Sequence, residues 1–269
     1  MSTLARTPVA LSATLVALIA LTACSGGSDS GAVAQVGDVT ITKAAINHWM
    51  GTLAGGDYYQ LSGRQTLPAG LVSEPPDYPA CVAHLETAEA TSPSKDLRLT
   101  GVQLLAKCRQ LYQALKRQAT EFLVNSEWTI AAYRDAGVTA SDREVRQRFE
   151  QWRAREGLTS NAALNKFMAS HRRSIADEMS VIKLDVLAQK AQRKVNVEGG
   201  QAIERFRRAE KKWASRTTCR PGYVVQHCKQ QRAVATQPVS SLPSPSVLME
   251  QVAALATGRC INLPACAKQ

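Results

Sequence analysis

The chain is expected to fold as a mainly α protein. The expectation is a helical domain with a short N-terminal β-hairpin, disulfide staples, and a Pro/Ser-rich arm near the C-terminus. Three observations predict this class. Over residues 99–136, and again over 175–195, apolar side chains recur at three- and four-residue steps or their sums, the period of an amphipathic helix. Aromatic residues make up only 5% of the sequence while Ala, Leu and Gln are abundant, which favours helix. Strand-like alternation is confined to short runs, chiefly residues 32–41.

The elements follow in order. Residues 1–23 read as a leader: Arg6 supplies a positive start and residues 9–21 a short apolar core, too short to span a bilayer. Leu21-Thr22-Ala23-Cys24 resembles a bacterial lipobox, which implies that Cys24 is freed, acylated and used as the membrane anchor; the alternatives are an ordinary secretory signal with a chance Cys and a membrane anchor that stays. Residues 24–31 then form a polar lipidated tether. Such a protein works outside the cytoplasm, at the membrane surface.

Residues 32–41 alternate around Gly37-Asp38, as a hairpin does. Thr42 can N-cap a helix from Lys43 to about Leu53 carrying Ile46, Trp49 and Met50. Gly55-Gly56, Pro68, Gly70 and Pro75-Pro76 predict a loop over 55–76. Pro79 opens a short helix through about Glu89. The longest helix spans 99–136, with Leu104, Cys108, Leu111, Leu115, Phe122 and Ile130 on one face. Val102, Leu105, Tyr112 and Leu123 widen that stripe, and Gly137 ends the helix. Ser141 and Glu144 form a capping box before a helix carrying Val145, Phe149 and Trp152 and closed at Gly157. Residues 161–170 form a short helix with Leu164, Phe167 and Met168. A helix of about six turns follows, with Ile175, Met179, Ile182, Val186, Ala191 and Val195 on one face, and residues 196–200 interrupt it. The last helix of this domain, 201–215, places Ile203, Phe206 and Trp213 on one side and crowds Arg205, Arg207, Arg208, Lys211 and Lys212 on the rest.

Residues 219–228 read as a disulfide-sized turn with a β-prone Tyr223-Val-Val225. The helical domain thus covers 32–228. Residues 229–245 form a linker, and 246–269 a small extension with a last helix over 246–256, closed by Cys260 and Cys266.

Seven cysteines are present; with Cys24 taken by lipid, Cys81, Cys108, Cys219, Cys228, Cys260 and Cys266 remain. An even number in an oxidising compartment reads as disulfides. Six cysteines allow fifteen pairings; nearest neighbours give 81–108, 219–228 and 260–266. The rival, a metal site on Cys219, His227 and Cys228, lacks the tight Cys-x-x-Cys spacing of zinc sites. The net charge is +11, and loss of Arg6 with the leader leaves +10. Such a charge favours anionic lipid headgroups, cell-wall polyanions or acidic polypeptides. Nucleic acid is rarely the partner in this compartment.

Val33-Ala-Gln-Val-Gly-Asp-Val-Thr-Ile-Thr-Lys43 resembles the opening of the SurA/PrsA-type foldases, in which a small hairpin precedes the first helix of a helical chaperone domain. Further segments look similar to an actinobacterial lipoprotein branch of that family. They are Pro76-Asp-Tyr-Pro-Ala-Cys81, the long helix through Leu123 to Trp128, Val181-Ile-Lys-Leu-Asp-Val-Leu187, and the stretch from Trp213 to Cys228. The resemblance covers roughly residues 33–230. Many such proteins carry a parvulin-type prolyl isomerase domain between the late long helix and the final helix. Here only residues 196–200 lie there, too few for an α/β domain, so no catalytic residues carry over.

Other chemistry was sought in the sequence. His48, His84, His171 and His227 match no metal-ligand pattern, and no nucleophile elbow, phosphate loop or dinucleotide fingerprint stands in a fitting context. Neither catalytic residues nor a cofactor are expected. Trp49, Met50, Tyr58, Tyr59, Phe167 and Met168 are the candidates for a client-binding cradle, because Met and aromatic side chains adapt to varied apolar surfaces. Each also suits ordinary core packing. Tyr58-Tyr59 stand out because they fall in the predicted loop. The expected function is that of a membrane-anchored extracytoplasmic chaperone that binds unfolded or nascent secreted polypeptides without prolyl isomerisation. The alternatives are a structural or adaptor lipoprotein of the cell envelope and a residual prolyl isomerase.

Overall fold

The computed structural model describes residues 31–62, 66–72, 75–91 and 99–230. The leader and the tether up to residue 30, the predicted linker from 231, the helix over 246–256, Cys260 and Cys266 lie outside the described residues. The architecture is mainly helical. Strands β1 (Ala32–Val36) and β2 (Val39–Thr42) lead into helices α1 (Lys43–Leu61), α2 (Pro79–Thr91) and α3 (Gly101–Asp135). Helices α4 (Asp142–Arg155), α5 (Asn161–Ser170), α6 (Ile175–Glu198) and α7 (Gly200–Ser215) follow, and strand β3 (Thr217–Cys219) closes the order.

The hairpin turns at Gly37, whose φ of +59° suits glycine. It is not alone: β3 pairs antiparallel with the other edge of β1, giving the order β2-β1-β3. The expected strand at Tyr223–Val225 is absent; β3 lies earlier, at the point where Trp213 is drawn in beneath Gly37. A Cβ at Gly37 would come 2.5 Å from the Trp213 ring.

Helix α1 starts on Thr42, whose hydroxyl accepts from the Ala45 amide. It runs well past Leu53 and takes Gly55 and Gly56 into its interior, correcting the expected loop. The reason is packing. Ile46, Met50, Ala54 and Tyr58 form one buried i,i+4 stripe that continues across the glycines. Tyr58 and Tyr59 are therefore helical.

Helix α3 is the spine. Thr100 and Gln103 cap it reciprocally, and Leu104, Cys108, Leu111, Leu115 and Tyr112 are buried on it. Val102 is instead 79% exposed, because two residues on a helix place it on the side opposite the buried Leu104. The Ser141–Glu144 capping box forms in both directions on α4. Helix α6 continues through Glu198, so the interruption shrinks to Gly199 alone, with φ +55°. Ile175 is exposed at its start, and Asp177 and Glu178 are buried in its place. On α7 the buried residues are Ala202, Ala209 and Trp213, while Ile203 is exposed.

Two disulfides form among the described residues. Cys81–Cys108 ties α2 to α3, and Cys219–Cys228 closes the turn after β3. The main core joins the sheet, α1, α2, α3 and α7; a second core joins α4, α5 and α6.

Candidate binding clefts

Helix α1 meets the α5–α6 corner along a narrow seam. His48 Nε2 lies 2.9 Å from Asp177 Oδ1, and Thr52 Oγ1 donates to the Arg172 carbonyl at 3.0 Å. Burial works to raise the Asp177 carboxyl, but the Ser174 hydroxyl and amide, then His48, outweigh it and hold the group below its usual value. Arg173 bonds the buried Glu178 across the same corner. At the seam's end the His171 ring lies between Tyr59 and Phe167, with ring centroids 4.2 and 4.0 Å away. His171 Nδ1 lies 2.8 Å from the Phe167 carbonyl.

Beside this aromatic triplet opens a cleft of about 710 Å³. Tyr59, Leu158, Ala163, Phe167 and Ala169 give it an apolar wall, and Lys166 and Ser170 stand among them. Its volume lies within the range of about 300–1,000 Å³ typical of ligand sites. Of the six candidate cradle residues, Tyr59 and Phe167 are part-exposed and line this cleft. Trp49, Met50, Tyr58 and Met168 are buried in the two cores. Burial raises the Tyr58 hydroxyl above its usual range, as a core position does.

A second cleft, of about 900 Å³, lies between α3, α7 and the Cys219–Cys228 turn. His227 stacks on Trp128 with centroids 4.3 Å apart and an interplanar angle of 19°. Burial lowers the His227 pKa, with Glu210 opposing, so the ring is neutral at pH 7. Tyr133, Arg207, Glu210, Lys211 and Gln226 complete a polar wall. Burial, then Glu210, raises the Tyr133 hydroxyl. Trp128 Nε1 is buried without a hydrogen-bond partner among the described residues. The sequence reading missed this site, because Trp128 and His227 sit far apart in the chain and no local spacing joins them. The sulfurs of Cys219 and Cys228 are bonded to each other, so the Cys219–His227–Cys228 ligand set does not exist in this state.

Among the described residues no group of three or more His, Cys, Asp or Glu gathers as a metal site, and no helix is long and apolar enough to cross a membrane. Compared with protein-family models, with curated proteins and with solved structures, the chain gives no match.

Proposed function

We propose that this is an extracytoplasmic chaperone of the SurA/PrsA kind, anchored to the membrane through lipidated Cys24, that binds unfolded secreted polypeptides without isomerising prolyl bonds. One observation carries the reading: the cleft of about 710 Å³ beside Tyr59 and Phe167, whose wall is mostly apolar, with Thr66, Lys166 and Ser170 as its polar residues. Burying one Leu- or Phe-sized side chain there contributes about 1.5–3 kcal/mol. A millimolar complex needs about 4 kcal/mol net, so one or two client side chains give weak, exchangeable binding. Weak binding to many sequences is what a holding chaperone requires. The single-residue break at Gly199 supports the absence of an inserted isomerase domain at that position.

The order of elements adds support, since the hairpin is followed directly by a helix and the strand after α7, β3, returns to pair with β1. Protection of an unrelated unfolded protein from aggregation tests the reading. An adaptor lipoprotein is the second reading, favoured by the polar Trp128–His227 cleft, which suits one defined partner better than many clients. An adaptor would leave unrelated proteins unprotected.

A further inference from the structure

We infer that the α6–α7 corner and the basic face of α7 form a docking surface for an anionic lipid bilayer. The surface starts at Gly199. Val197, two residues before it, is 84% exposed, and Ile203, four residues after it, is 44% exposed. A single exposed apolar side chain is ordinary; two large ones flanking one tight corner form an apolar tip.

Helix α7 supplies the charge. It buries Ala202, Ala209 and Trp213 against the rest of the domain. Advancing about 100° per residue, the opposite arc carries Arg207, Lys211 and Arg208 together with Glu204, and Lys212 and Arg205 flank the buried face. Arg205 pairs with Glu198, Arg207 with Glu204, and Lys212 with Asp135. Arg208 and Lys211 have no ion pair among the described residues, and both are exposed. With Glu198 and Asp135 counted beside Glu204 and Glu210, the five cations exceed the carboxylates by one, and it is Arg208 and Lys211 that stand outside ion pairs.

Because the apolar face of α7 is already buried in the domain, what is left to meet a membrane is the exposed pair Val197 and Ile203 and the cations, which supply the apolar and the electrostatic attraction of peripheral binding. The apolar tip decides the partner. A soluble polyanion would satisfy the arginines and lysines but gives Val197 and Ile203 nothing to bury against. The acyl boundary of a bilayer receives both. Each cation near an anionic leaflet strengthens binding about fivefold, and salt screens the effect. This surface needs neither the Cys24 anchor nor client binding, so it goes beyond the chaperone reading.

The test uses the whole mature chain from residue 24, unacylated through Cys24→Ser, in co-sedimentation with vesicles. One set holds equal parts phosphatidylglycerol and phosphatidylcholine, the other phosphatidylcholine alone. Binding to the anionic set is expected, at least tenfold above the neutral set, and falling as salt rises. Arg208→Gln with Lys211→Gln should weaken it about tenfold or more. Val197→Ser with Ile203→Ser should weaken it by about tenfold at unchanged charge. All four positions are exposed, so circular dichroism should be unchanged. Equal affinity for both vesicle sets, or no affinity for either, overturns the proposal. So does full binding by the Val197→Ser/Ile203→Ser variant together with displacement by soluble polyglutamate, which would mark a polyanion surface.

Discussion

Gly55 of α1 lies directly against the backbone of His171: a Cβ added at Gly55 would sit 2.6 Å from the His171 carbonyl oxygen. Backbone cannot swing aside as a side-chain tip does, so this contact fixes how closely α1 and the α5–α6 corner approach. The Tyr59–His171–Phe167 ring cluster is built on that approach.

Gly55 and Gly56 should therefore respond in opposite directions. Gly56 would place its Cβ in open space, with nothing within 4 Å. Gly56→Ala should stabilise the fold by about 0.5–1 kcal/mol through helix propensity. Gly55→Ala should destabilise it by about 1–3 kcal/mol through overpacking. Urea titration of both variants checks this; the same sign for both would contradict the seam.

The two disulfides should differ in worth. Cys81–Cys108 spans 27 residues and Cys219–Cys228 spans 9. The chain-entropy relation gives about 3.5 kcal/mol for the first and about 2.5 for the second. Paired Cys→Ser variants, compared by denaturant titration, should rank in that order. Thiol titration of the unfolded, unreduced mature chain should find no free thiol, the 260–266 pair included.

Glu144 should titrate far below an ordinary glutamate. The Lys190 ammonium first, then the Ser141 amide and hydroxyl, bring it from 4.5 to about 2. Its folded value lies below its unfolded one. Its contribution is thus complete above pH 4.5 and lost as pH falls through about 2. NMR titration of the side-chain carboxyl reads the midpoint directly. Lys190→Ala should move it upward; an unmoved midpoint would mean the α4–α6 ion pair does not form in solution.

The Ser141–Glu144 capping box, the long helix and both described disulfides were legible because each is written locally: Ser141 and Glu144 three apart, a stripe from Leu104 to Leu115, cysteines paired with neighbours. What was not legible depends on contacts distant in sequence. Gly55-Gly56 looked like loop punctuation, and only the His171 backbone reveals why a helix needs glycine there. Ile203 looked like core, but the neighbouring Ala202 is the buried residue of that turn and Ile203 is exposed. Strand β3 alternates in burial, but its Thr-Thr-Cys sequence shows no apolar alternation to read. Of the six cradle candidates, Tyr59 and Phe167 come together beside His171, whereas Trp49, Met50, Tyr58 and Met168 satisfied the competing expectation of core packing.

Cys24→Ser should release the protein from the membrane fraction, or block its processing, when membranes are washed at high salt. The salt wash removes electrostatic attachment through α7 and leaves the acyl anchor as the variable. A variant processed and retained like wild type under that wash would contradict lipidation at Cys24.

The most direct measurement is light scattering from an unrelated, chemically unfolded protein diluted into buffer with the unacylated mature chain. Wild-type chain should suppress the aggregation in proportion to its concentration. Tyr59→Ser with Phe167→Ser removes the aromatic wall of the 710 Å³ cleft while leaving the buried Trp49, Met50 and Tyr58 in place. That variant should lose most of the suppression while keeping a helical circular dichroism spectrum and a cooperative melt. Full suppression by the folded variant, or none by wild type, would contradict client binding at this cleft.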